Sequence, residues 1–301
     1  MKTQTAIGVG LAGVAALGVG CVAYGTFIEK NHFHLRHVRV PVLPAGHSPV
    51  RVLHLSDLHL MNSQKKKIGW VRGLAELKPD FIVNTGDNFS CAEALGALKY
   101  TLEVFAGIPG VFVLGSNDYY GPRPINPLKY LFPRNPGREG ETLPTKALTA
   151  LLASLGWDNA EHNQLLYDVN GTTIEVRGAG DVHMQADDYP RTLGESSADL
   201  LIGVTHAPYC TILDEMVADG AGLILTGHTH GGQVCLPGGR ALTTNCDLPP
   251  SQAKGLSTYR YGTRQAYLHV SAGLGTSPYA PYRFACPPEA TLLSLEARPE
   301  I

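Results

Sequence analysis

The chain has 301 residues, a formal net charge of -2, 44% apolar and 17% charged side chains. That is ordinary globular composition for one large domain or two small ones, with no basic excess to point to nucleic acid. Six cysteines without a Cys-x-x-Cys pair argue against a thiolate zinc site.

No charged side chain occurs from Thr3 to Ile28, and the run from Ala6 to Tyr24 is apolar or small throughout. About 20 such residues span a bilayer as a helix, so residues 1–30 are expected to be an uncleaved, single-pass membrane anchor. A cleaved signal peptide has a shorter apolar part, roughly 7–15 residues. Positive charge at Lys30, Arg36 and Arg39 places the remainder on the cytoplasmic side; signal-anchor logic places it on the other, and the side stays open. Residues 31–48 read as a linker and edge strand. Cys235, Cys246 and Cys286 pair if that part lies outside the cytoplasm and are buried thiols otherwise.

From residue 49 on, the pattern alternates. Arg51–Ser56 is a short apolar strand. The spacing of Ile68, Val71, Leu74 and Leu77 predicts a helix within 63–77, stopped by Pro79. Strand 81–85, helix 91–105 and strand 111–114 follow. Strand–helix alternation with short connections indicates an α/β layered fold. The segment 119–145, rich in Pro, Gly and Arg, breaks the pattern and reads as an insert. In it Arg123, Arg134 and Arg138 suit a phosphate, and Leu128, Tyr130, Leu131 and Phe132 suit lipid; a solvated loop is the alternative. Helix resumes at 146–155. Strands 165–169 and 172–176, joined by Asn170-Gly171, form a hairpin. Further strands are expected at 200–205, 223–226, 233–236, 266–270 and 291–295, giving two facing sheets with helices outside.

The chemical groups stand just after apolar strands. Asp57 and His59 follow the first, Asp87 the second, Asn117 and Asp118 the third. His206, then His228 and His230, follow strands in the second half. Ligands gather beyond such strand ends in open α/β sheets. Carboxylates mixed with imidazoles suit Mn, Fe, Zn or Co and disfavour a pure Mg or Ca site. The set exceeds the needs of one tetrahedral ion, so two ions sharing a carboxylate are expected. Two cations roughly 3.5–4 Å apart activate a bridging water and stabilise attacking and leaving oxygens.

Asp57-Leu-His59, Gly86-Asp87-Asn88, Gly115-x-x-Asp118, Thr205-His206 and Gly227-His-Thr-His230 together resemble the calcineurin-like metallophosphoesterases, from about Val50 to Leu295. The resemblance implies a four-layer α/β/β/α sandwich, preceded here by the N-terminal transmembrane helix, and a dinuclear site for divalent or trivalent ions, Mn, Fe or Zn. It implies Asp57, His59 and His230 on the first metal, Asp87 bridging, and His206 and His228 on the second. Gly231-Gly232-Gln233, Gly273-Leu-Gly275 and Arg283-Phe-x-Cys-Pro-Pro-Glu289 are similar to a membrane-anchored bacterial branch that includes UDP-2,3-diacylglucosamine pyrophosphatase-like phosphodiesterases. The third motif departs from the family's Gly-Asn-His-Asp. Without a gap, Ser116 stands at the metal-binding Asn and Asn117 at the catalytic His; a one-residue shift makes Asn117 the ligand, which is preferred because an amide oxygen is the better neutral donor. Asp87, Asn117 and Asp118 are the expected catalytic set. The implied activity is hydrolysis of a phosphodiester or pyrophosphate, with an amphiphilic phosphoester as partner, by a metal-bridging hydroxide. The alternative is a weakly active or non-catalytic metal-binding scaffold at the membrane.

Overall fold

The computed structural model describes residues 16–124, 140–186, 189 and 196–299. All but two of the described strands fall into two sandwiched sheets, and the site lies at one end of both.

The first sheet contains β1 (His34–Leu43), β2 (Val50–Leu55), β3 (Phe81–Asn84), β4 (Gly110–Phe112), β5 (Trp157–Asn159) and β14 (Glu289–Ala297). Their order is β1-β14-β2-β3-β4-β5, with β2 to β5 parallel and β14 antiparallel to β2. The second sheet contains β6 (Gln164–Val169), β7 (Thr172–Ala179), β8 (Leu200–Thr205), β9 (Leu223–Thr226), β12 (Gly255–Tyr261) and β13 (Arg264–Val270). It is ordered β12-β13-β9-β8-β7-β6, with β13, β9, β8 and β7 mutually parallel. A two-stranded ribbon, β10 (Cys235–Leu236) with β11 (Arg240–Ala241), stands apart.

Period-two alternation sorts the side chains of β2. Val50 and Val52 enter the core between the sheets, with Val83, Val111, Val176, Val204 and Leu225. Leu53 and Leu55 face outward onto α2 (Lys65–Gly73), α3 (Leu95–Leu102) and α5 (Thr145–Ser154), through Ile68, Leu98 and Leu152. On the far side α6 (Cys210–Ala218) covers the second sheet with Ile212, Leu213, Met216 and Val217. Two mixed sheets with helices outside are thus observed. The hairpin turn also forms, with φ 56° at Asn170 and 79° at Gly171. The elements that went unread in the sequence include β5, β12 and α6; the last was legible in the spacing 212, 213, 216, 217. Expected strand 233–236 shrinks to the two residues of β10.

Part of the expected anchor lies outside the described residues. A helix, α1, covers 16–27; Leu17, Val19, Val22 and Phe27 on it, and Ile28 just after it, are exposed. Among the described residues no helix is long and apolar enough to cross a membrane. In the insert, Arg134, Arg138, Leu128, Tyr130, Leu131 and Phe132 also lie outside the described residues. Its stem is closed by Gly121 N–H donating to Glu141 O at 2.7 Å.

His54 of β2 points between the sheets. Its Nδ1 lies 3.0 Å from Nδ1 of His269 on β13, and its Nε2 3.0 Å from Thr85 Oγ1. One ring donates its single N–H to the other, so this pair fits the neutral state. Burial holds His54 well below the ordinary value, helped by His269, and burial holds His269 down to about 4 despite Glu289. Both folded values lie below the unfolded one. Stability from this pair is therefore full above about pH 6.5 and is lost as pH falls through about 4. His269 alone accounts for roughly 3 kcal/mol of that loss. Denaturant unfolding of the metal-free chain from pH 7 to 4 should show the decline, and His269→Leu should flatten it.

Candidate active site

Each site residue stands in a turn directly after a strand: Asp57 and His59 after β2, Asp87 after β3, His206 after β8, His228 and His230 after β9. Five of them hold left-handed backbone: Asp57 (φ 49°), His59 (40°), Asp87 (55°), His228 (68°) and His230 (50°). Such conformations cost a non-glycine residue about 1–3 kcal/mol each, and they cluster where surrounding structure enforces them. Here the enforcement is dense. Gly227 comes so close to Ser56 Oγ and Asp57 that a β-carbon there would overlap them, and one at Gly115 would overlap Asp87 and His206.

Two donor groups result. Asp57, His59 and His230 offer ligand atoms within 4.8 Å of one another, and so do Asp57, Asp87 and His206. Asp87 Oδ2 stands between the groups, 3.3 Å from His59 Nε2 and 3.6 Å from His206 Nε2. His230 Nε2 is 3.7 Å from Asp57 Oδ1. Asp57 is thus shared by both groups, while Asp87 reaches imidazoles of both. His228 sits outside them: its ring packs edge-on to His206 at 5.3 Å, and its Nε2 lies 3.2 Å from the Asn245 carbonyl.

The electrostatics favour a cation. Two carboxylates, both almost fully buried, face one another. Burial pushes the Asp57 carboxyl up, and Asp87 adds to this against His206 and His59. For Asp87 burial acts in the same direction, but His206, His59 and Asn117 outweigh it and hold it well below the usual range. Burial alone would lower His206; Asp87, Asp181 and Asp57 overcome it and raise it to about 9. Burial, His59 and Arg283 keep His230 far below its ordinary value, and burial with His206 and His183 holds His228 at about 3. Both nitrogens of His59 and Nε2 of His206 are buried without hydrogen-bond partners. His59 Nε2 is near the Asp87 carboxylate but off the line of a hydrogen bond. His206 is oriented by its other nitrogen, 2.6 Å from the Thr85 carbonyl, which turns Nε2 towards Asp87. Orphaned imidazole nitrogens beside two buried carboxylates fit divalent cations.

The third motif, which opens the short helix α4 (Ser116–Tyr119), is pinned by three carboxylates. Leu114 N–H donates to Glu161, Gly115 N–H to Asp118 and Ser116 N–H to Asp181. Asn117 is the residue turned to the site: its N–H and its Nδ2 both lie 2.8 Å from the Asp87 carboxylate. Ser116 sends its backbone N–H to Asp181 instead. Asp118 was expected among the catalytic residues. It lies behind Asp87, its oxygens accepting Asp87 N–H (2.8 Å), Asn88 N–H (2.7 Å), Asn88 Nδ2 (3.2 Å) and Gly115 N–H (3.1 Å). Burial and Asp87 push it up to about 7 against those donors. With its oxygens so occupied, it fastens the Asp87 turn. Asp118→Asn turns an NH2 against backbone N–H groups, and should cost about 2–4 kcal/mol in denaturant unfolding.

Sequence reasoning left two supports without a role, one of them His183, open between a support behind the ligands and a plain loop residue. Asp181 holds His183 Nδ1 at 2.8 Å, and the His183 ring packs on His228 at 4.7 Å. Arg283, fully buried, binds a ring of carbonyls around His230. The order Gly178-Ala-Gly-Asp181 after an apolar strand was the only signal for the first.

A profile of the calcineurin-like phosphoesterases matches residues 50–232, more than half of the chain. The chain belongs to the calcineurin-like phosphoesterase family. As a member it is a hydrolase of phosphoric esters, from a metal-dependent family. It is 24% identical to YkuE of Bacillus subtilis (strain 168), an uncharacterized metallophosphoesterase, over 304 residues and 96% of either chain. It is also 24% identical to YpbG of the same organism over 234 residues, 76% of this chain and 80% of YpbG. Among solved structures, TT1561 of Thermus thermophilus aligns at 15% identity and TM-score 0.42, over 75% of this chain and 91% of its own. The NAD nucleotidase NadN of Haemophilus influenzae aligns at 12% and TM-score 0.44, over 75% and 51%. Likenesses at that level carry no argument about substrate.

Proposed function

We propose that this phosphoesterase hydrolyses a phosphodiester or pyrophosphate bond using two divalent or trivalent cations, Mn, Fe or Zn. Asp57, His59 and His230 would hold one; Asp87, His206 and the Asn117 amide would serve the other, within reach of Asp57 as well, and His228 would join them by turning its Nε2 from the Asn245 carbonyl. The observation that carries this reading is the set of buried, unpartnered imidazole nitrogens facing two carboxylates. Bound cations in such a site supply an activated water and neutralise developing charge on phosphorus.

The chain's own residues do the positioning. Asp118 and Asn117 hold the Asp87 turn and carboxylate from two sides. Thr85 fixes the face His206 presents. Asn117 carries an amide, which cannot protonate a departing oxygen. Substrates whose leaving group departs as a stable anion, such as a pyrophosphate or an activated diester, suit this site better than simple alkyl esters.

The uncharged stretch from Thr3 to Ile28 and the exposed apolar face of α1 support attachment to a membrane and an amphiphilic phosphoester. The tail Arg283-Phe-x-Cys-Pro-Pro-Glu289 supports the UDP-2,3-diacylglucosamine pyrophosphatase-like branch. The test is a panel of aryl diesters, pyrophosphates and monoesters with Mn, Fe and Zn. Turnover of bis-p-nitrophenyl phosphate well above that of p-nitrophenyl phosphate is expected. Stoichiometric metal without turnover across the panel favours the scaffold instead.

A further inference from the structure

The residues that follow the apolar N-terminal segment are not a slack tether. Tyr24 packs edge-on against Phe284 at 6.4 Å. Gly25 lies so close to the Arg283 carbonyl that a β-carbon would overlap it, and its own carbonyl accepts Arg283 N–H at 3.2 Å. Glu29 is 3% exposed although it is a carboxylate in a three-residue 3-10 turn. Its two oxygens accept the backbone N–H groups of Cys286 at 2.6 Å and Ala285 at 3.0 Å. Ala285 holds φ 51°, a left-handed conformation that an alanine adopts only when held there. Glu29 is the group that holds it.

The turn so clamped carries Arg283, and Arg283 reaches the site. Its guanidinium donates to the carbonyls of Ala272 (2.7 Å), Gly273 (3.1 Å), Gly275 (2.7 Å), Cys286 (3.2 Å) and His230 (3.4 Å), and lies 3.4 Å from His230 Nδ1. Gly273 and Gly275 in turn press on Asp57 and on the Asp57–His59 turn. The contacts that lead from Glu29 reach Asp57, His59 and His230 first. Asp87 and His206 have their own direct supports in Asp118, Asn117 and Thr85, and meet the first group through Asp57 and the His59 N–H bond to the Asp87 carbonyl.

We propose that Glu29 is a positioning residue for one half of the metal site, fixing the Arg283 turn and through it His230 and the Asp57–His59 turn. The segment that emerges from the apolar stretch is then part of the site's scaffold. This rests on the reading of the site as dinuclear.

Partners one layer behind a ligand are worth about 10–100-fold in metal affinity; Glu29 acts through Arg283, so the low end applies. The experiment is Mn titration of the full-length chain in detergent, by calorimetry, for wild type, Glu29→Ala and Glu29→Gln. In Glu29→Ala one Mn equivalent should bind about tenfold more weakly while the other moves less than about twofold. Glu29→Gln keeps one acceptor oxygen and should recover most of the loss. Equal weakening of both equivalents, or of neither, overturns the proposal; so does Gln failing to recover where Ala loses. A wild-type chain that takes up no Mn overturns the dinuclear reading on which the proposal stands.

Discussion

Asp87→Asn should lower turnover about a thousandfold or more, equal to about 4 kcal/mol of transition-state stabilisation. Asparagine keeps the size of the side chain and an oxygen, so the turn survives. What disappears is the negative charge that stands 3.3 Å from His59 Nε2 and 3.6 Å from His206 Nε2. Without it a cation pair at this position faces a single carboxylate, Asp57. Bound Mn, measured by elemental analysis after gel filtration, should fall below two equivalents. The protein should stay folded, because Asp118 still accepts the backbone N–H groups of residues 87 and 88. His206 should also lose its strongest anionic neighbour, and its proton, held up to about 9 in the native chain, should come off at lower pH. NMR titration of the metal-free variant checks that direction. Retained turnover with full metal content would refute the assignment of Asp87 to the cations.

Arg283→Met should be the most damaging single change to stability outside the hydrophobic core. The guanidinium is fully buried, and no carboxylate lies within ion-pair reach among the described residues. Burial pulls its proton affinity down, with Cys286, Glu289 and Asp57 opposing. An arginine remains charged even so. Its hydrogen bonds go to five carbonyls from three separate segments; those of His230 and Gly273 also accept Gln233 N–H and Glu289 N–H, whereas Arg283 is the donor to Ala272, Gly275 and Cys286 among the described residues. Each orphaned acceptor costs about 1–3 kcal/mol. Relaxation and the relief of a buried cation reduce the sum, leaving on the order of 3–5 kcal/mol. For a domain of this size that is about 10 °C in Tm. Arg283→Lys should recover less than half, because an ammonium has three donors and no planar fork. Calorimetric melting of the three metal-free chains is the check; a shift under about 3 °C for Arg283→Met would show the carbonyls find other donors.

Local pattern made much of this legible. Residues 200–205 and 223–226 were readable as strands to the residue, because both faces of a parallel strand between layers are apolar. The Asn170-Gly171 turn was readable because only such residues tolerate two successive positive φ angles. The site motifs were readable because each polar group follows an apolar strand. Other features were not. β12 alternates poorly, since most of its residues are half-exposed. Asp118 reads as one more site carboxylate, and only its four N–H partners show what occupies its oxygens.

By itself the sequence determined most of the strands, the hairpin turn and the residues placed at the strand ends, because burial period and turn chemistry are written over neighbouring positions. Only the tertiary structure decided that Asp57 belongs to both donor groups, that Asn117 rather than Ser116 faces Asp87, and that Glu29 reaches across 257 residues of chain to Cys286. Those facts depend on which strands pair and how the two sheets are stacked. Partners that far apart in the chain leave no periodic trace in it.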